Sequence, residues 1–283
     1  MALTRAFEEH EVPPEMRRLY CDVRAALDLP FVPTLIKLLS GIPQYLRPVW
    51  KDLAPVVCSR EFQAGAQALQ EIAHSAAVGG GWSFSDQPQV LAADKFSNTD
   101  IRVVGGTIGL FARATVQMGL LSRLMQRGYS GGQKGRVTGA RQPSALAQLI
   151  QLQIPNEREA GLRVWLIYSD IKRTTGSKNV LSLFRALSPF PSYLASAWLD
   201  SKRLLADSAF LATREDINRR VRALLTGLPV RDHRTMLKEV SSAEWREIEE
   251  TVDGFARLLP QFILLTAVWQ RSFPSASRLI GAA

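Results

Sequence analysis

Two stretches of this chain, residues 20–62 and 168–210, align without a gap when the sequence is shifted by 148 residues. Twelve of the 43 aligned positions are identical. The shared residues include the pairs Tyr20/Tyr168, Asp22/Asp170, Pro43/Pro191, Tyr45/Tyr193 and Trp50/Trp198. Two copies of so long a unit are not typical of a solenoid, which has more and shorter repeats. The sequence therefore predicts two similar halves packed about a pseudo-twofold axis.

The repeat divides the chain into three parts. We predict a first helical repeat over residues 1–125, a linker over 126–147 and a second repeat over 148–283. The segment 126–144, QRGYSGGQKGRVTGARQPS, is rich in glycine and basic residues and has almost no apolar periodicity. These features favour an exposed connection.

Apolar side chains in each half recur at the i, i+3, i+4, i+7 spacing of an amphipathic helix. In residues 14–28, for example, this stripe consists of Met16, Leu19, Tyr20, Val23 and Leu27. Strand-like alternation over more than four residues is scarce, so we predict an all-α fold. The predicted helices cover 14–28, 32–40, 44–57, 59–77, 107–127, 160–174, 179–188, 191–206, 214–225, 242–250 and 252–271.

Composition and charge limit the functional classes. The 283 residues are 46% hydrophobic and carry a net charge of +9, which favours an anionic partner such as a small carboxylate. Basic residues concentrate between Arg123 and Arg141, but Tyr129 is the single aromatic residue among them and no nucleic-acid-binding motif is recognised, so nucleic acid is not favoured. Two cysteines without a secretory signal indicate the cytoplasm, and no apolar stretch reaches membrane-spanning length, so no membrane association is predicted.

No cofactor or metal is predicted. The three histidines, His10, His74 and His233, are scattered and lack the spacing of a metal site, so we expect them at the surface or in packing roles. The glycine-rich segments 79–82 and 105–109 do not form a phosphate-binding motif and are expected to allow turns and close helix contacts. The sequence leaves a homodimer open.

Three motifs together resemble those of one enzyme family. They are YCDVRAALDLPFVPTL at 20–35, the Pro-x-Tyr-Leu…Trp pattern of each half, and FSNTDIRVV at 96–104. They are similar to segments of the group I 2-haloacid dehalogenases. The resemblance implies an all-α fold of two tandem helical repeats with an active site between them. It also implies a carboxylate that activates water to displace halide from C2 of a short 2-haloacid.

Residue by residue, the resemblance places the orienting asparagine of the family at Asn98. The catalytic aspartate of the family falls on Leu183, and no Asp or Glu occurs from Ile171 to Leu199. The remaining substrate-pocket positions fall on Phe31, Pro33, Thr34, Ile101, Leu181 and Ser182. Because Leu35 is the repeat mate of Leu183, we expect an apolar central cavity that is filled or narrowed.

Two assignments remain open at this point. Asn98 could orient a water or a ligand carboxylate, or it could belong to the helix-capping cluster of residues 97–100. The cation pairs Arg24/Lys172 and Lys37/Arg185 could form ion pairs along the helix faces or clamp a substrate carboxylate. We favour ion pairs, with Asp22 or Asp52 as examples of acidic partners.

The sequence supports three functional hypotheses. The first is a 2-haloacid dehalogenase whose activity is weak or absent because a leucine replaces the base. The second is a repurposed homologue that binds a small apolar acid or another hydrophobic metabolite. The third is a non-catalytic helical interaction domain whose basic linker docks an acidic partner.

Overall fold

The computed structural model describes residues 5–85, 87–93, 95–139, 152 and 154–273. Within these ranges the chain forms twelve α-helices and no β-strand, so the all-α prediction is confirmed. The helices are α1 (Pro14–Leu27), α2 (Thr34–Leu39), α3 (Pro43–Val57), α4 (Arg60–Gly79), α5 (Gln87–Ala93), α6 (Asn98–Tyr129), α7 (Leu162–Thr175), α8 (Ser182–Ala186), α9 (Pro191–Leu205), α10 (Ser208–Leu224), α11 (His233–Met236) and α12 (Ser242–Ser272).

The helix bounds follow the sequence offset. Helices α7 and α9 begin and end 148 residues after α1 and α3. Both α3 and α9 have proline in their first turn, where its missing N–H costs no helical hydrogen bond. Helices α1 and α7 both end on a left-handed residue, Asp28 with φ 53° and Gly176 with φ 67°. The same local signals therefore start and stop equivalent helices.

Helices α6 and α12 differ most from the sequence prediction. Helix α6 begins at Asn98 rather than 107 and continues through Gly105, where a Cβ atom would lie 3.1 Å from the Phe273 ring. Glycine here allows close packing within a continuous helix instead of a turn. Helix α12 runs unbroken through the predicted interruption near residue 251, since Thr251 and Val252 are buried and the helix packs on both sides of that point. The short helices α5 and α11 were not predicted.

The chain separates into two compact units, each built from three stretches of sequence. Unit 1 comprises Met1–Ala68, Val116–Leu152 and Arg219–Leu259, and unit 2 comprises Leu69–Thr115, Gln153–Asn218 and Pro260–Ala283. The domain boundaries proposed from the repeat stay a prediction. The predicted linker lies in the first unit, and its residues 140–147 fall outside the described residues.

In unit 1, helix α3 packs against both α1 and α2. The predicted stripe of α1 is buried, and Tyr45 of α3 makes an edge-to-face contact with Trp245, with ring centroids 5.5 Å apart. Residues at the start of the predicted linker attach to this unit. Arg127 donates hydrogen bonds to the carbonyl oxygens of Leu225 and Leu228, and Gln133 pairs with Val230 through backbone hydrogen bonds. At least one cation of the basic cluster therefore has a structural role.

In unit 2, helix α9 packs against both α7 and α5, so the α7/α9 pair repeats the α1/α3 pair of unit 1. Edge-to-face aromatic contacts fill its interior, including Trp82 on Phe210 and Phe84 on Trp269. The hydroxyls of Thr115 and Thr266 lie 3.2 Å apart in the same interior, and each also lies within hydrogen-bonding distance of a carbonyl oxygen of its own helix.

Helices α6 and α12 are long and apolar enough to cross a membrane by length and composition alone. Their most apolar 18 residues have a mean hydropathy of 1.2. In the folded chain, 61% of this stretch in α6 and 72% in α12 is buried. Such burial is typical of the core helices of a water-soluble protein.

Candidate active site

Helix α8 carries the position at which the family resemblance places the catalytic base. Leu183 is the second residue of this five-residue helix and is 2% exposed. Its neighbours Leu181 and Ser182 are also buried. The side chain at the base position is therefore an alkyl group without contact to bulk water, and it can neither accept a proton nor hold a water by hydrogen bonding.

Phe184 makes the surroundings of α8 strongly apolar. Its ring packs edge to face on Trp198, Phe262 and Trp269, with centroid separations of 5.5, 5.7 and 6.0 Å. All four rings belong to unit 2. Aromatic contacts of this kind hold α8 in place and exclude water from one side of it.

The equivalent segment of unit 1 has the same backbone conformation. Pro33, which precedes α2, has φ −61° and ψ 147°, and Leu181, which precedes α8, has φ −61° and ψ 146°. Thr34 and Ser182 are the first residues of the two helices, and both are buried. Leu35, the mate of Leu183, is fully buried, so leucine is buried at both equivalent positions.

Asn98 is exposed and is the first residue of α6. The cap is formed by its neighbours, because Asp100 N–H donates to Ser97 Oγ over 3.2 Å and Ser97 N–H donates to the Asp100 carboxylate over 2.9 Å. The hydrogen bonds from Ser97 lower the pKa of Asp100. This carboxylate is committed to the cap, whereas the Asn98 amide takes no part in it. The capping cluster is confirmed, with Ser97 as the capping residue rather than Asn98.

The predicted pocket residues divide between the two units. Phe31, Pro33 and Thr34 belong to unit 1 and are buried. Unit 2 contains the other five positions, of which only Asn98 is exposed; the buried ones are Ile101, Leu181, Ser182 and Leu183. That the two sets line one cavity stays a prediction from the family resemblance.

The repeated cations form ion pairs and hydrogen bonds inside the chain. Arg24 pairs with Glu9 at 2.9 Å, and its mate Lys172 pairs with Glu157, which is the position equivalent to Glu9. Lys37 pairs with Glu8. The ion-pair interpretation is therefore confirmed for these three cations, although their acidic partners precede α1 and α7 and are not the predicted Asp22 and Asp52.

Arg185, the mate of Lys37, contacts a main-chain group. Its Nε donates a hydrogen bond of 2.8 Å to the carbonyl oxygen of Pro155. Pro155 is the position equivalent to Phe7, which itself contacts Lys37 through a backbone hydrogen bond of 3.1 Å. In both copies, then, a cation of the short helix is tied to the segment that precedes the first long helix.

One acid–base pair with a buried histidine was not predicted from the sequence. His233 Nε2 lies 3.0 Å from Asp52 Oδ2, although the two residues are 181 positions apart. Asp52 also forms an ion pair with Arg231 at 3.1 Å. Burial lowers the pKa of His233, and the hydrogen bond with Asp52 opposes that shift. The pair holds the start of α11 against α3, which is a structural role.

The described residues contain no group of three or more His, Cys, Asp or Glu side chains that could hold a metal ion. The chemistry available around α8 is consequently that of apolar walls and single polar groups. Such a site can desolvate and orient a short acid, but Leu183 contributes no proton transfer.

Known relatives of the chain are 2-haloacid dehalogenases. An (R)-2-haloacid dehalogenase of Pseudomonas putida is 24% identical over 274 residues, which cover 93% of this chain and 90% of the relative. An (R)-2-haloacid dehalogenase of Rhizobium sp. (strain NHG3) is 24% identical over 81% of this chain and 90% of the relative.

Solved structures show the same fold. A D-2-haloacid dehalogenase mutant in complex with D-2-CPA matches with a TM-score of 0.85 and 22% identity, covering 96% of both chains. The complex of D-2-haloacid dehalogenase with L-LA matches with the same TM-score, identity and coverage. The family model described as halocarboxylic acid dehydrogenase DehI matches residues 30–183 and 180–281. The chain, with its all-α fold and its matches along nearly the whole length, belongs to this family.

Proposed function

We propose that this chain is a 2-haloacid dehalogenase homologue with weak or absent halide release, which binds a short, mainly apolar carboxylic acid. The observation that carries the proposal is the burial of Leu183 in the apolar helix α8, at the position that the family resemblance gives to the base. The names of the relatives supply the substrate class, 2-haloacids.

The chemical argument concerns the attacking water. Displacement of halide by water needs a group that removes a proton as the new C–O bond forms. Positioned acid–base groups contribute about 10²–10⁴-fold to such reactions. An alkyl side chain cannot take this role, so the bound acid would remain unreacted or react slowly.

Binding can persist without the base, because affinity and turnover use different groups. Apolar side chains at Ile101 and Leu181 would surround the carbon skeleton of the acid, and the exposed amide of Asn98 would donate to its carboxylate. The proposed binding uses no metal or cofactor. Cys21 and Cys58 form no disulfide, which agrees with function in a reducing cytoplasm.

Halide release from racemic 2-chloropropionate tests the catalytic part. We expect the natural chain to release chloride at least about 10²-fold more slowly than a catalytically competent relative assayed in parallel. Leu183→Asp should raise the rate of chloride release. Leu183→Asn should not, because asparagine has the shape of aspartate but carries no charge. Chloride release by the natural chain at the relative's rate would contradict the proposal.

Thermal unfolding in the presence of propionate and 2-chloropropionate tests the binding part. We expect both acids to raise the melting temperature in a concentration-dependent manner, because ligands of the native state stabilise it. Asn98→Ala should reduce the shift, and Asn218→Ala, at a half-buried position of α10, serves as the control. If neither acid stabilises the natural chain, the binding role is wrong.

A further inference from the structure

A cleft in unit 1 lies between α1 and α3, and its lining includes none of the positions assigned to the dehalogenase site. Its volume is about 650 Å³, within the range of small-molecule pockets. Asp22 and Trp50 line it from the two helices, and we call it the Asp22–Trp50 cleft. Apolar atoms of Leu19, Ala26 and Pro55 form part of its walls.

The equivalent place in unit 2 is filled by the chain itself. Trp198 Nε1 donates a hydrogen bond of 2.8 Å to Asp170, and the Lys202 ammonium lies 3.0 and 2.9 Å from the two oxygens of that carboxylate. Arg173 donates to the same carboxylate over 2.6 Å. The carboxylate of Asp170 is thus surrounded by an indole N–H and two cations.

In unit 1 both cations are missing from the sequence. Ala54 stands at the position of Lys202 and Ala25 at that of Arg173, whereas Asp22 and Trp50 are kept. The loss of two long side chains leaves open space beside a carboxylate. Trp50 is 4% exposed, and its Nε1 is buried without a hydrogen-bond partner. A buried donor without an acceptor costs free energy, which a ligand atom would recover.

Cations line the same cleft at other positions. Arg18, Arg47 and Lys51 contribute to its walls and are exposed. Their unit 2 mates are Leu166, Ala195 and Leu199, so unit 2 has no such basic rim. Glu15 also lines the cleft. The cleft therefore offers carboxylates for an ammonium group, and an indole N–H with three cations for an anion.

We infer that the Asp22–Trp50 cleft binds a small zwitterion that carries both an ammonium and a carboxylate group, such as an amino acid. The ammonium of the ligand takes the place beside Asp22 that Lys202 takes beside Asp170. The carboxylate of the ligand accepts from Trp50 Nε1 and neutralises the basic rim. The alkyl part of the ligand lies on the apolar walls.

The test uses 5-aminopentanoate as the zwitterion, with pentanoate and pentylamine as analogues that each lack one charge. Binding is followed through the indole N–H resonance of Trp50 in two-dimensional NMR, assigned by its loss in Trp50→Phe. We expect 5-aminopentanoate to shift this resonance in a saturable manner and each analogue to bind about tenfold more weakly, because each lacks one charge-assisted hydrogen bond.

Three variants separate a specific site from general charge attraction. Ala54→Lys reproduces the unit 2 pattern, so it should abolish 5-aminopentanoate binding and shift the Trp50 resonance without any ligand. Ala64→Lys adds the same charge at an exposed position of α4 and should leave binding unchanged. Asp22→Asn should weaken the binding of 5-aminopentanoate and leave the binding of pentanoate unchanged. Equal affinity for 5-aminopentanoate and pentanoate, or unchanged binding in Ala54→Lys, would overturn the inference.

Discussion

The Tyr20 hydroxyl lies 2.8 Å from Ser40 Oγ in the interior of unit 1 and 2.9 Å from the carbonyl oxygen of Phe7. Ser40 Oγ in turn donates to the Lys37 carbonyl oxygen over 2.8 Å. Burial raises the pKa of Tyr20 to about 12, so the phenol stays protonated and acts as a donor at neutral pH. The network ties the segment before α1 to the end of α2.

Removal of this donor should destabilise the protein. Tyr20→Phe leaves buried acceptors without a proton, and we expect the free energy of unfolding to fall by about 1–3 kcal/mol. Urea denaturation followed by circular dichroism measures the change. The matched control is Tyr45→Phe, because the Tyr45 hydroxyl is buried without a hydrogen-bond partner. That substitution should be neutral or stabilising, and similar losses in the two variants would show that these hydrogen bonds contribute little.

The Asp52–His233 pair should make stability depend on pH. Burial lowers the pKa of His233 below its usual 6.5, so the unfolded chain binds more protons than the folded chain between the two values. Stability is then fully present above pH 6.5 and decreases as the pH falls through the unfolded and then the folded pKa. We expect His233→Gln to flatten the profile in this window, while His74→Gln, at an exposed position, leaves it unchanged. If stability depended on pH equally steeply in the natural chain and in His233→Gln, the pH dependence would have to come from other groups.

Asp170 should make stability fall in the same direction but at lower pH, because its carboxyl pKa is depressed. The hydrogen bond from Trp198, followed by that from Lys202, lowers the pKa of Asp170 to about 2. Its contribution to stability is present above the unfolded value of 3.8 and is lost as the pH falls towards 2. We expect Lys202→Ala to raise this pKa in an NMR titration of the carboxyl group. Lys178→Ala, an exposed lysine of the same unit, is the control, and an unchanged Asp170 titration in Lys202→Ala would be the contrary result.

Leu183→Asp, the variant designed to restore a base, should cost stability. Leu183 is 2% exposed, so an ionised carboxylate there lacks solvation, and we expect a loss of about 3 kcal/mol or more at neutral pH. The folded pKa of the introduced acid would be raised, so this loss should shrink as the pH falls and the group becomes neutral. Leu183→Asn should lose stability without that pH dependence. If the stability of the two variants changed with pH in the same way, water would have to reach the side chain at position 183.

Much of the helical framework could be predicted from sequence because its signals are local. Prolines at Pro43 and Pro191 mark helix starts, and the apolar stripe of residues 14–28 matches the buried face of α1. The repeat offset also placed equivalent helices at equivalent bounds. These features depend on backbone chemistry within a few residues, which a single sequence displays directly.

The features that escaped prediction depend on distant parts of the chain. Gly105 remains helical because Phe273 packs against it, and His233 is buried because it pairs with Asp52. The partners Glu9 and Glu157 lie outside the aligned stretches of the repeat. The sequence therefore predicted that the cations form ion pairs, but not which acidic residues pair with them. Sequence position carries no information about such contacts until the fold brings the residues together.

The division of unit 1 into three stretches has a consequence for protein synthesis. Its first 68 residues pack with Arg219–Leu259, near the other end of the chain. A growing polypeptide leaves the ribosome N-terminus first. The helices of the first 68 residues therefore remain partly exposed until Arg219–Leu259 has been synthesised. During that interval their apolar faces are open to chaperones and to aggregation, and a truncated product lacking the last quarter of the chain could not complete this unit.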